Sequence, residues 1–409
     1  MKISVLLERE PFDKIFEKTF SSFLKSFTNN PHMVKWHTKK YKSKNNASIQ
    51  QWYCNPLINS IFVKGVNPSV FDSISGEYSD NPLKPWRSSI QKLYLYLSQN
   101  HITSQLMAKN IVQISPPIID PKNKLIIGGN SKIRLIDISE KKVYVILKNG
   151  FDKKLLEKEL YVRNNFKYLP IPKIHAYDAD GLWYSEEYVS GKSPNRLEEN
   201  KSIKILLEVV NDIHKMLNQT KQDISFSKYV FTLKNKINKG IERISYIDKD
   251  VKDSINYITS ILDKYLDKYS DQKITVAYCH GDFHQGNILS NGKDHWILDW
   301  ENSGTKQIGY DLFILLLESR IESGFSNRFF KLLNNQLNSD QQQMISNWPE
   351  IEWDTRSLKE RDLILFLLEE LDFYVNENSN ILFKKNPRAL SARINCFKEI
   401  FDSLPFNID

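Results

Sequence analysis

Two spacings of apolar residues succeed one another along the chain. From Leu125 to Leu147 they come in short blocks: Leu125-Ile126-Ile127, then Ile133 with Leu135-Ile136, then Val143-Tyr144-Val145-Ile146-Leu147. The first gap holds Gly128-Gly129-Asn130-Ser131. Runs rich in β-branched and aromatic residues, bounded by turn residues, predict strands. Trp183 to Val189 reads as a further strand leading into Gly191. Helical periodicity dominates afterwards, at Val209–Leu217, over the lysine-rich stretch 226–269 and at Leu363–Tyr374. A short β island interrupts it: Val276–Cys279, Ile288–Ser290 and Trp296–Leu298, the last two joined by Asn291-Gly292-Lys293-Asp294, a hairpin signal. Before residue 120 the patterns are mixed. Ile3–Leu7 is β-like, Phe12–Phe27 is an amphipathic helix, Gln51–Val63 is apolar and aromatic, and helical patterning returns over Ser88–Asn110. Ser115-Pro116-Pro117 and Asp120-Pro121 mark a boundary. The expected division is a folded extension at 1–120, a β-rich region at 121–190 and a helical region at 191–409, in an α+β fold.

The β island carries the chemistry. Its loop reads His280-Gly281-Asp282-Phe283-His284-Gln285-Gly286-Asn287, and the hairpin ends in Asp299-Trp300-Glu301. Phosphoryl transfer from ATP needs a carboxylate at the attacking hydroxyl, with an amide oxygen and a second carboxylate holding Mg²⁺ against the phosphates. Asp282, Asn287 and Asp299 suit those roles in that order. A His-x-Asp near a turn often only caps backbone groups. Adding the Asn five residues on and an Asp after a hairpin makes the pattern far more specific.

This motif resembles the aminoglycoside phosphotransferase and choline kinase group, small-molecule kinases with a protein-kinase-like fold. The resemblance implies a catalytic base at Asp282 and metal ligands at Asn287 and Asp299, with Asp299-Trp300-Glu301 in place of D-F-G. It also implies an upstream half. Val143–Lys148 resembles V-A-I-K, which gives Lys148 the phosphate role. A helix over Leu155–Val162 supplies its carboxylate partner. Glu159 fits the family position, with Glu157 the alternative; the two lie about 200° apart on a helix, so only one can face the lysine. Gly128, Gly129, Asn130 and Ser131 stand where a nucleotide-covering loop belongs. The backbone at Glu187, Tyr188 and Val189 resembles the hinge that reads the adenine edge, with GTP not excluded. Asp311 matches an Asp that braces the catalytic loop, with a helix N-cap as the other reading. The resemblance spans about 121–320.

Only Asn302 to Ile308 separates the metal motif from Gly309-Tyr310-Asp311, so the peptide-docking segment of a protein kinase has no room. A small molecule or a glycan end is the expected acceptor. A kinase-like scaffold without turnover is the rival reading, and a protein kinase a weaker one. Acids at Glu350, Glu352, Asp354, Glu369, Glu370, Asp372 and Glu377, beside Trp353, Phe373 and Tyr374, can bind a cationic amine or can form an ordinary helix face over core aromatics.

Gross composition alters this little. The chain has 409 residues, 41% of them hydrophobic, enough for two or three units with a sizeable core. Cys54, Cys279 and Cys396 form no metal or disulfide pattern. The longest strongly apolar run, Leu312–Leu317, falls far short of a membrane span. These features lead to an expectation of a cytoplasmic protein with no nucleic-acid partner. The net charge of +8 comes mostly from scattered lysines, and Lys39-Lys40-Tyr41-Lys42-Ser43-Lys44 is a short basic loop. Oligomeric state is not legible.

Overall fold

The computed structural model describes residues 2–38, 48–72, 85–100, 103–348, 353, 355–384 and 388–404. The basic cluster at 39–44 lies outside them. The chain divides into two compact units: Met1–Leu160 with Ile171–Lys192 and Leu289–Trp296, and Tyr161–Pro170 with Ser193–Ile288 and Ile297–Asp409.

The first unit is built on a nine-stranded antiparallel sheet. Its strands are β1 (Met33–Thr38), β2 (Gln50–Asn55), β3 (Ser60–Val63), β4 (Asn110–Ser115), β5 (Lys124–Gly128), β6 (Lys132–Asp137), β7 (Lys142–Leu147), β8 (Ile174–Tyr177) and β9 (Trp183–Glu187), in the order β1-β4-β2-β3-β5-β6-β7-β9-β8. Strands from before and after residue 120 therefore belong to one sheet, joined where Ser60 pairs with Ile127 and Ile61 with Ile126.

Two helices precede the sheet, α1 (Ile3–Arg9) and α2 (Phe12–Thr28). The β-like reading of Ile3–Leu7 was wrong. Ile3, Leu6 and Arg9 are buried at three-residue spacing, a helical face that five apolar-rich residues cannot reveal alone. Along α2, Phe12, Phe16, Phe20 and Phe23 recur every three or four residues and are buried. Phe23 and Phe27 meet Tyr144 of β7, with ring centroids 5.7 and 5.0 Å apart. Burying each of Phe12, Phe16, Phe20 and Phe23 contributes roughly 1.5–3 kcal/mol, so α2 is a structural element of the sheet. The helix Lys154–Asn165 follows β7.

The second unit is helical, with long segments at Glu199–Thr220, Phe226–Arg243, Lys249–Asp267 and Arg356–Glu377. It holds a three-stranded sheet in which Lys273–Cys279 lies between Gln222–Ser225 and Gly304–Gln307. The short interval after the metal motif is thus used up as a strand. Ile288–Ser290 and His295–Ile297 form the expected hairpin. The fold is α+β, and its parts follow in the expected order: the glycine-loop hairpin, the strand before Lys148, the helix of Glu159, the His280–Asn287 loop and the hairpin before Asp299.

Candidate active site

In the helical unit, the strand Lys273–Cys279 ends at His280 and the chain turns through Gly281, whose φ is +82°. A Cβ there would lie 2.1 Å from the Asn302 carbonyl oxygen, so only glycine fits this turn. Asp311 braces it. Its carboxylate accepts the His280 N–H at 2.6 Å and the Gly281 N–H at 2.9 Å. The helix N-cap at Gly309 makes no side-chain cap bond, so bracing is the role seen for Asp311. Burial pushes the Asp311 carboxyl up, and His280 and the two amides oppose that rise. The His280 ring packs on Trp300 at 4.4 Å and bonds the Leu298 carbonyl at 2.9 Å. That bond ties the loop to the far end of the hairpin.

Asp282 follows, half-buried. The Asn287 side-chain amide donates to the Asp282 carbonyl at 2.9 Å and to its Oδ2 at 3.3 Å. Asn287 Oδ1, on the opposite arm of the same amide, is thereby turned the other way. The Leu298 N–H donates to the Asn287 carbonyl at 2.8 Å, which brings Asp299 beside Asn287 as the hairpin predicts. Asp299 itself is left-handed, with φ +67°, a backbone state that side chains other than glycine, Asn and Asp rarely adopt. An amide oxygen and a carboxylate make a donor set suited to Mg²⁺, which takes few protein ligands and completes its octahedron with phosphates and water. His284 is 3.7 Å from Asp282. Burial lowers its pKa, partly offset by the Asp282 charge, which leaves the ring neutral near pH 7.

Sequence reasoning missed Arg320. Its Nε donates to Asp282 Oδ1 at 2.5 Å and its Nη1 to Glu370 Oε2 at 2.6 Å. Burial works against this charge, but Glu370 and Asp282 outweigh it and hold the guanidinium pKa well above its ordinary range. Nothing in the local sequence marks Arg320, because its partners lie 38 and 50 residues away. The acidic cluster is corrected here as well. Glu370 also accepts from Tyr310, and Glu369 accepts from Tyr229 and Gln307; both carboxylates are fully buried. Arg320 already lies over Phe373, 4.2 Å from the ring centroid, so an internal cation occupies the place expected for a ligand amine. Trp353 stacks on Phe313. Glu350, Glu352 and Asp354 lie outside the described residues.

In the sheet unit, Lys148 and Glu159 are both buried, while Glu157 is exposed. Lys148 and Glu159 each have an ion-pair partner other than the expected one. Lys148 Nζ sits on the Glu10 carboxylate, and Lys132 Nζ lies 2.8 Å from Glu159 Oε1. The cause is register. Lys132 and Leu147 are cross-strand partners and share one face, so Lys148, the next residue, faces the opposite side with Tyr144 and α2. Gly129 and Ser131 turn their carbonyls toward Lys148, at 3.4 Å to its Nζ and 2.9 Å to its N–H. Asn130 is held by Arg9 through its side chain at 2.5 Å and its carbonyl at 3.2 Å. A Cβ on Gly128 would lie 2.7 Å from Ile3, so this glycine admits α1. At the expected hinge, the Glu187 and Tyr188 N–H groups donate to the Lys173 and Lys141 carbonyls, just past the end of β9 at Glu187.

A comparison with protein families places these parts. Residues 155–352 match the phosphotransferase enzyme family. The resemblance read from the motifs therefore holds over just under half of the 409 residues, the stretch containing Glu159, Asp282, Asn287, Asp299 and Asp311. No curated protein sequence matches significantly. Among solved structures, a choline/ethanolamine kinase family protein from Mesorhizobium loti is similar, with 16% identity, 68% of this chain and 88% of that chain covered, and a TM-score of 0.45. An ethanolamine kinase from Plasmodium vivax shares 12% identity over 84% and 96%, also at 0.45. A choline kinase from Streptococcus pneumoniae shares 12% over 70% and 92%, at 0.43. No helix among the described residues is long and apolar enough to cross a membrane.

Proposed function

We propose that this protein is an ATP- and Mg²⁺-dependent phosphotransferase that moves the γ-phosphate to a hydroxyl of a small molecule or glycan: a sugar, an aminosugar or an amino alcohol. One observation carries the reading. Asp282, Asn287 and Asp299 are ordered by a braced loop and a hairpin so that a base and two oxygen ligands occur together. When bound, Mg²⁺ neutralises charge on the transferring phosphates. Asn287 and Asp299 would hold it.

Asp282 orients the acceptor hydroxyl and takes its proton at a carboxylate oxygen. Arg320 and Asn287 fix that carboxylate, which spares the reaction a search for geometry. A buried lysine at the glycine-loop hairpin faces the phosphates, and the backbone near Val189 takes the adenine edge. Most of the rate comes from positioning and charge stabilisation. The test is a panel of amino alcohols, aminosugars and sugars with labelled ATP, using wild type and Asp282→Asn. The variant loses about 10²–10⁴-fold in phosphoryl transfer and keeps Mg-ATP binding by calorimetry. Full turnover by Asp282→Asn would refute the assignment.

A further inference from the structure

The sheet unit contains two buried lysines at the glycine loop, and they face opposite ways. We propose that Lys132 is the lysine that contacts the nucleotide phosphates, and that Lys148 is structural. The inference rests on the phosphotransferase reading above and names a residue of that same site.

A phosphate-binding lysine needs three things. Its ammonium must stand at the root of the glycine loop, be held by a carboxylate on the neighbouring helix, and lie on the sheet face that this helix covers. Lys132 meets all three. It is the first residue of β6, directly after Gly128-Gly129-Asn130-Ser131. The loop folds back on it closely enough that a Cβ on Gly129 would lie 2.7 Å from the Lys132 carbonyl oxygen. Its Nζ is 2.8 Å from Glu159, on the helix Lys154–Asn165.

Lys148 also stands at the loop, but on the other face of the sheet. Its ammonium is on the α2 side, against Glu10, 5.6 Å from the Phe12 ring centroid and 4.5 Å from that of Phe151. Arg9 bonds Glu10 at 2.8 Å and Asn130 as well. The Arg9-Glu10-Lys148 group therefore fastens the N-terminal helices to the back of the loop. Moving the phosphate lysine from the third strand of this hairpin system to the second keeps its ammonium on the same glutamate. In an antiparallel pair, cross-strand partners lie only about 4.5–5.5 Å apart at Cα, within reach of a lysine side chain.

The deciding experiment uses the full chain and an acyl-phosphate derivative of ATP, whose carbonyl is attacked by an amine beside the phosphates. A lysine amide forms, ATP leaves, and the modified peptide is read by mass spectrometry. The expected result is acylation of Lys132, suppressed by excess Mg-ATP, with Lys148 labelled to less than about one-tenth of that extent. Label on Lys148, or on neither lysine in protein that binds Mg-ATP, overturns the inference and leaves the phosphotransferase reading standing. A wild-type protein that takes no label and binds no Mg-ATP overturns both. Paired variants add an independent measurement, because neither member of the pair is left as a stranded buried charge, and Arg9, which loses Glu10 in the second pair, keeps its bonds to Asn130. Lys132→Met/Glu159→Gln weakens Mg-ATP binding about 10–100-fold, the range of a lost charge-assisted hydrogen bond. Lys148→Met/Glu10→Gln changes it less than about threefold while lowering the melting temperature. The reverse order would refute the assignment, and if either pair fails to fold, the labelling decides.

Discussion

Replacing Asp311 by Asn alters one oxygen atom and tests the brace beneath the catalytic loop. In the native protein two backbone N–H groups, those of His280 and Gly281, end on this one carboxylate. Asn keeps a single acceptor oxygen and presents an NH₂ to the other amide. The retained bond falls from charge-assisted to neutral, a loss of about 1 kcal/mol, and the orphaned buried N–H costs about 1–3 kcal/mol. Burial already disfavours the Asp311 charge, so a neutral side chain recovers part of that. The net is on the order of 2 kcal/mol, or about 30-fold in the local opening equilibrium at about 1.4 kcal/mol per factor of ten. Amide hydrogen exchange over a peptide spanning Tyr278–Asn287 reads this directly. The His280 and Gly281 amides should exchange about 10–100-fold faster, with helices elsewhere unchanged. Displacement of Asp282 by even about 1 Å also lowers turnover about 10²-fold. If the folded variant protected both amides to within about threefold of wild type, the brace would be incidental and the reasoning wrong.

The ion pairs around Asp282 and a buried carboxyl give two further expectations. Arg320→Met strands the Glu370 carboxylate, whose side chain is wholly buried, and should cost about 3–5 kcal/mol by urea unfolding; Arg320→Met/Glu370→Gln should recover most of it, and a single variant as stable as wild type would contradict this. Burial raises the Glu369 carboxyl to about 7, with Lys306 and the hydrogen bonds from Tyr229 and Gln307 opposing the rise. A folded pKa above the unfolded one means the stabilisation is complete below the unfolded value and lost as pH rises through about 7. Urea midpoints should therefore fall between about pH 5 and 8, by on the order of 3 kcal/mol at about 1.4 kcal/mol per pKa unit, and Glu369→Gln should remove that contribution to the slope.

Local pattern and long-range contact were unequally legible. The hairpin at Asn291-Gly292 and the order Asp282, Asn287, Asp299 could be read because each depends on neighbours within a few residues or on a turn with its own signature; Asp311, 30 and 31 residues from the amides it accepts, was reached only through the family resemblance. Helical phase allows only one of Glu157 and Glu159 to face inward; the family position favoured Glu159, and Glu159 is the buried one. Lys148 was different, because its assignment required knowing which sheet face carries the glutamate helix. Strand alternation leaves that sign open until a partner is fixed; Lys132, beginning the preceding strand at the loop, stands on the other face. Arg320, Glu370 and Glu10 join the network only through contacts many residues distant. The acids near Phe373 left two readings open, a ligand site or an ordinary helix face, because composition does not distinguish a carboxylate awaiting a guest from one already satisfied by the protein's own guanidinium.

The pairing of β3 with β5 bears on where this chain can be cut. A fragment beginning near residue 121 contains every motif of the catalytic machinery, and by family resemblance alone it looks self-sufficient. Yet it would begin with β5 stripped of its neighbour along Ile126 and Ile127, presenting an apolar strand edge of the kind that recruits other chains. It would also lack Glu10, leaving the Lys148 ammonium in an apolar setting without that counter-charge. Strands from the first 120 residues form one flank of a single sheet, so the segment after them depends on that flank to cover its strand edge.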